Sequence, residues 1–242
     1  MDRPVALALA ALLLLLLAVV TSRVGGLGHG RAAVVAAVRA VVQLAAVSAV
    51  VAAVLASVPL ALVFLGVMAA VASGTSARRL TRDRSGAWAG LAVLGGALPV
   101  VGLLVATGAV PLSGRALLPV GGIVIGGAMT ATTLAGRRAL DAVRERRGEV
   151  EAGLAIGLPA RDAHLEVSRP AAAEAVVPGL DQTRTVGLVT LPGAFVGMLL
   201  GGATPTEAGV VQAIVLVSLL AAQMLSALLA VELVARGLVR RR

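Results

Sequence analysis

Along the chain, long apolar runs alternate with short polar segments rich in arginine. About 20 apolar residues, usually 17–25, cross a bilayer as a helix. Seven runs reach or approach that length: 5–20, 32–56, 58–73, 88–107, 117–135, 186–203 and 208–235. The first and third are short and need a residue or two from their flanks. The second and third meet at Ser57-Val58-Pro59, which predicts a tight hairpin. The pattern predicts an all-α, polytopic membrane protein with about seven transmembrane helices. It forms a single transmembrane domain over 1–242, interrupted by one long polar segment at 136–185.

Composition changes the picture in two ways. The chain is 59% hydrophobic and only 14% charged, against about 25% charged residues in a soluble domain, so the bilayer must hide the excess apolar surface. Cysteine is absent, which excludes disulfides, thiolate metal sites and cysteine nucleophiles. Lysine is absent too, and a P-loop needs a lysine to reach the β- and γ-phosphates. Any ATP-driven work must therefore fall to another polypeptide, which would hold the ATP and magnesium, with no cofactor on this chain.

A net charge of +9 would suggest nucleic acid for a soluble protein, but here the arginines report topology. With the N-terminus outside, the inner segments 21–31, 74–87, 136–185 and 236–242 hold 18 of the 21 arginines. The positive-inside rule then places the C-terminus in the cytoplasm, and the expected location is the bacterial inner membrane. No nucleic-acid partner is expected. A cleaved signal peptide is the rival reading of 5–20, but Asp2 weakens its n-region and no A-x-A site follows. Trp88, at the inner start of the fourth run, suits an interfacial anchor.

The 136–185 segment is helix-prone, with Arg137/Asp141 and Arg147/Glu151 at i,i+4 spacing. Gly157 suits the end of one helix and Pro159 the first turn of the next. The second helix is expected over about 160–177, stopping at Pro178-Gly179. The two helices form either a compact knob or an amphipathic hairpin lying on anionic lipid.

Glu151-Ala152-Gly153-Leu154-Ala155-Ile156-Gly157 resembles the EAA loop of ABC transporter permeases, with Val167 and Pro170 at the places of its longer form. Leu118–Ala135, Val176–Pro205, Gln212, and Arg39 with Gln43 extend the likeness to the FetB-type permeases, a bacterial iron-export family related to plant proteins of aluminium tolerance. The resemblance implies a permease subunit that couples to a separate ATPase through Glu151, Ala152, Gly157 and Pro159. It also implies export, with iron or a metal-related solute as cargo. An ABC permease for another small solute, such as a sugar nucleotide, and an ATP-independent channel or uniporter are the alternatives.

Within the apolar runs, the substrate-pathway candidates are Arg39, Gln43, Met129, Thr190, Pro192 and Gln212. A cation inside a bilayer is costly, so Arg39 marks function unless its long side chain snorkels to the interface. Pro192 should kink the sixth run and free a carbonyl. Gly122 and Gly126, and Gly193, Gly197 and Gly201, recur every four residues, a spacing that lets helix backbones approach. They are expected to pack helices, the second set across the seam of a homodimer. His29 and His164 fall outside the runs and are expected in solvated loops, so no metal site can be assigned.

Overall fold

The computed structural model describes residues 3–241. Met1, Asp2 and Arg242, which the sequence reading places at the outer start and in the inner tail, lie outside the described residues. Among the described residues the fold is all-α, with six helices long and apolar enough to cross a membrane. The chain divides into two compact units, one ending at Val54 and the other beginning at Leu55.

The first unit is built on α1 (Arg3–Val24) and most of α2 (Gly30–Ala56). Their apolar side chains are exposed almost throughout, as lipid-facing helices require. The turn between them is polar and satisfied internally. The buried Ser22 accepts a hydrogen bond from His29 N at 3.0 Å, and Leu27 N donates to the Ser22 carbonyl at 2.9 Å.

The second unit is a bundle of α3 (Val58–Leu80), α4 (Ala89–Ala106), α5 (Gly114–Glu145) and α10 (Pro205–Ala235), with shorter helices between α5 and α10. One residue, Ser57, separates α2 from α3, and Pro59 lies in the first turn of α3. Small residues set the helix spacing. A Cβ at Gly96 of α4 would collide with Ser226 Oγ and lie 2.7 Å from the Ala222 carbonyl oxygen of α10. A Cβ at Gly127 of α5 would meet Leu219 of α10. At one end of the bundle Leu80, Ala89, Ala139, Leu165, Ala230 and Val234 share a buried core.

Helix bounds depart from the hydropathy bounds where polar signals act. The helix α3 runs seven residues past 73 and carries Arg78 and Arg79 in its last turn, where cations face the negative helix end. The last helix starts at Pro205 rather than 208, because Thr204 and Glu207 form a capping box. The 32 residues of α5 extend about 48 Å at 1.5 Å per residue, more than the roughly 30 Å hydrocarbon core. Its last turns carry Arg137, Arg138 and Arg144 and form a polar stalk.

The stalk carries α6 (Arg147–Ala155) and α7 (Ala160–Ala173). Three details of the sequence reading are corrected here. The first helix of the polar segment is not separate but continues α5, with a break at Arg146. The second stops at Ala173, and Pro178-Gly179 opens α8 (Val177–Thr185) instead of ending a helix, since proline needs no N–H donor in a first turn. Asp141 pairs with Arg241 of the C-terminal tail and not with Arg137.

The sixth apolar run is not one helix. After α8 the chain turns at Gly187 (φ 80°), Gly187 N donates to the Thr190 carbonyl at 2.9 Å, and α9 (Gly193–Leu200) begins at Pro192. The expected kink is a full break. Gly187 takes the left-handed conformation that ends α8, and Pro192 holds Leu191 away from helical geometry. The segment nevertheless runs the length of α10, with Gly179 against Gln223, the break against Gln212 and Leu216, and Phe195 near Gly209.

Candidate functional site

Two features combine polarity with access: the bend between α6 and α7, and the break in the sixth run. At the bend, Gly157 adopts φ 91°, a region closed to most L side chains. Its N–H donates to the Leu154 carbonyl at 3.0 Å, and Leu158 N donates to Gly153 at 3.0 Å. Pro159 is the residue just before α7, which starts at Ala160 as expected, and its carbonyl accepts from Asp162 N and Ala163 N. The bend is therefore set by backbone chemistry at Gly157 and Pro159.

Beneath the bend, Val150, Ala163 and Val167 pack on Val143 of the stalk, while Leu165 and Ala172 enter the core shared with α10. The segment thus packs against the bundle as a compact knob. Outward from it project Leu154, Ile156 and Leu158, with Ile156 81% exposed. Glu151 and Ala152 are exposed on α6, and the Glu151 carboxylate accepts from Arg147 Nε at 2.7 Å, the expected i,i+4 pair. On the neighbouring turn, Arg146 holds the Glu149 carboxyl below its ordinary range through a side-chain hydrogen bond. A groove of about 420 Å³ runs beside α6, lined by Glu151, Leu154, His164, Val239 and Arg240 among others. His164 is half-buried on α7 rather than in a loop, and its Nδ1 donates to the Ala160 carbonyl at 2.6 Å.

The knob is tied to the last helix. Arg161, two residues into α7, donates from Nε and Nη2 to the two Glu232 oxygens at 2.6 and 2.8 Å. Arg236 donates to the same carboxylate at 2.6 Å. A bidentate pair of this kind fixes direction as well as distance. The two partners lie 71 residues apart, a separation that no local sequence pattern signals. The exposed apolar trio had a visible signal in the sequence: three aliphatic residues around a glycine in a charged segment.

At the break, Pro192 and Gln212 come together with Gly187 and Phe195 around a cavity of about 180 Å³. Gln212 is 6% exposed and its Oε1 has no hydrogen-bond partner among the described residues. Thr190 is exposed, and its backbone closes the turn. The other candidates lie elsewhere. Met129 sits at the α3–α5 contact, where its carbonyl accepts from Ser76 Oγ at 3.3 Å. Arg39 and Gln43 are exposed on α2, and among the described residues neither side chain has a hydrogen-bond partner.

Of the periodic glycines, Gly122 abuts Met68 of α3, whereas nothing lies within 4 Å of a Cβ at Gly126, Gly193 or Gly197. Gly201 follows the last turn of α9, close only to the carbonyls of that turn. The Gly193–Gly197 face is thus open within the chain.

Several known proteins are similar to this chain. UPF0014 membrane protein STAR2 from Oryza sativa subsp. japonica is 35% identical over 174 residues, 72% of this chain and 60% of that protein. Protein ALUMINUM SENSITIVE 3 from Arabidopsis thaliana is 36% identical over 157 residues, 65% of this chain and 57% of its own length. The Probable iron export permease protein FetB of Escherichia coli (strain K12) is 28% identical over 146 residues, 60% of this chain and 56% of that protein. The chain spans less than two thirds of the two plant relatives' length. No solved structure matches it. The Uncharacterised protein family UPF0014 matches residues 4–239, and with that match and the helices described above, the chain is a multi-pass membrane protein belonging to the UPF0014 family.

Proposed function

We propose that this chain is the permease subunit of an ABC transporter, working as a homodimer in the bacterial inner membrane with two copies of a separate ATPase. The observation that carries this reading is the bend at Gly157. It presents Leu154, Ile156 and Leu158 to solvent on a knob that is itself packed into the helix bundle. Exposed aliphatic side chains on a rigid support suit a partner's groove, and the knob would carry the partner's motion to α5 and α10. The naming of the relative FetB as a probable iron export permease supports export and a metal-related cargo. The arginine-rich end of the bundle would face the cytoplasm, with the C-terminus inside and the N-terminus outside. ATP and magnesium would bind the partner subunit only.

A second cargo reading rests on the donors present. The break offers an amide oxygen, backbone carbonyls and apolar walls, whereas iron prefers carboxylate, imidazole or thiolate ligands. Such a lining suits a small neutral solute, or a metal carried inside a complex.

The test is co-purification with the ATPase subunit and hydrolysis in reconstituted vesicles. Ile156→Asp and Glu151→Arg should leave the permease folded, because both side chains are exposed, while ATPase capture falls at least tenfold. Full capture with normal stimulation of hydrolysis in both variants would reject the coupling role.

A further inference from the structure

Six of the arginines in the polar segment and the last helix meet an acid, among them Arg138 with Glu174, Arg147 with Glu151 and Arg161 with Glu232. One cluster does not follow that pattern. Between the end of α3, the loop after it, the stalk of α5 and the C-terminal tail lies a cleft of about 640 Å³, lined by Arg78, Arg79, Arg82, Arg137 and Arg241 with Asp83. Arg241 is anchored, donating to the Leu80 carbonyl at 2.8 Å and pairing with Asp141. That pairing takes the acid one turn beyond Arg137. Among the described residues Arg78, Arg79, Arg82 and Arg137 have neither an ion pair nor a side-chain hydrogen bond.

The positive-inside rule explains why arginines gather at this end of the bundle. It does not explain why four guanidinium groups without an ion pair converge on one cavity beside Asp83, which lines the same cleft. Converging guanidinium groups repel, and a planar guanidinium fork matches phosphate oxygens bidentately. The depth of the cleft identifies the source of phosphate. Val63, Val67 and Val71 face outward along α3, and Arg78 follows Val71 by seven residues, about 10 Å along a helix. Trp88, 44% exposed, sits six residues after Arg82, and an exposed indole marks the headgroup level. The cleft is therefore at the height where lipid phosphates lie, at the edge of an apolar, lipid-facing helix.

We infer that this cleft binds the headgroup of an anionic phospholipid, and that four unpaired guanidinium groups favour a lipid with two phosphates over one with a single phosphate. Basic pockets between helices at a membrane boundary commonly bind such headgroups. The inference is independent of the transport reading.

The test is native mass spectrometry of the full-length protein in detergent, titrated separately with cardiolipin, phosphatidylglycerol and phosphatidylcholine. Cardiolipin should bind most tightly and phosphatidylcholine least. Arg78→Gln with Arg137→Gln should weaken cardiolipin binding about 30-fold, on the order of fivefold per arginine. The control, Arg144→Gln with Arg240→Gln, removes equal charge from the neighbouring groove and should leave binding within twofold. If the first pair fails to give a monodisperse protein, Arg82→Gln, on an exposed side chain, should weaken binding about fivefold. Equal losses in the cleft variants and the control would overturn the proposal, leaving only net charge. Equal binding of phosphatidylcholine would also overturn it. Displacement of cardiolipin by an equimolar amount of inorganic pyrophosphate would overturn the lipid assignment in favour of a soluble anion.

Discussion

At Gly96 the backbone of α4 comes so close to α10 that the side chain opposite, Ser226, leaves no room for a methyl group. Leucine there must push the helices apart, at a cost of about 1–3 kcal/mol of the kind that overpacked cores show. Gly96→Leu should lower thermal stability in detergent by that amount, measured by the loss of monodisperse protein on heating. Gly197→Leu meets no atom within its own chain and should leave the same curve unchanged. If Gly197 lines the homodimer seam, the variant loses the dimer in cross-linking while each copy stays folded. The contrast explains what was legible at this scale. A four-residue glycine repeat is visible in sequence, and it marks a face that is open in the single chain. The glycine that the fold most needs is isolated in its helix, and its importance comes from Ala222 and Ser226, residues more than 120 positions away. Sequence gave no means of pairing them.

Among the elements, hydropathy found the long helices because every lipid-crossing backbone must satisfy its own hydrogen bonds. It placed α4 within a residue or so at each end, and the charged knob with its bend was readable from Gly157 and Pro159. The same method read 186–203 as one span because valine, leucine and alanine dominate the average, while Gly187 and Pro192 break the helix through geometry that no average records. The ends of α3 and α10 were missed for a related reason, since caps and terminal arginines are polar. The link from knob to bundle carries its own prediction. Exposed ion pairs contribute little to stability, so Arg161→Gln should fold normally and still capture the ATPase through Leu154, Ile156 and Leu158. What it should lose is transmission: hydrolysis continues in vesicles while transport falls severalfold. Docking and transmission then separate, because Ile156→Asp abolishes the first and Arg161→Gln only the second. Unchanged transport in Arg161→Gln would show that the Glu232 pair is ornamental.

For the molecule as a whole, the decisive question is whether the broken sixth run crosses the membrane. Its path along α10 predicts that it does. The 31 residues of α10 extend about 46 Å, so Thr206 and Glu232 lie at opposite ends, and Glu232 is bound to the knob. The chain therefore leaves the knob after α8 and reaches the far end before Thr204 by way of the break and α9. A re-entrant loop would return Thr206 to the side it started from. The absence of native cysteine makes the distinction accessible by single replacements. Ala109→Cys, in the exposed turn after α4, and Thr206→Cys, at the start of α10, should both react with an impermeant maleimide added to intact cells. Gly148→Cys, on α6 with nothing within 4 Å of its Cβ, and Ala87→Cys should react only after the membrane is opened. Labelling of Ala109→Cys but not Thr206→Cys would mean that the broken run turns back. Labelling of Gly148→Cys and Ala87→Cys in intact cells, with the other two protected, would invert the whole orientation. The arginines argue against inversion because moving the stalk, the knob and the tail outward would carry most of the 21 arginines to the side that the positive-inside rule disfavours.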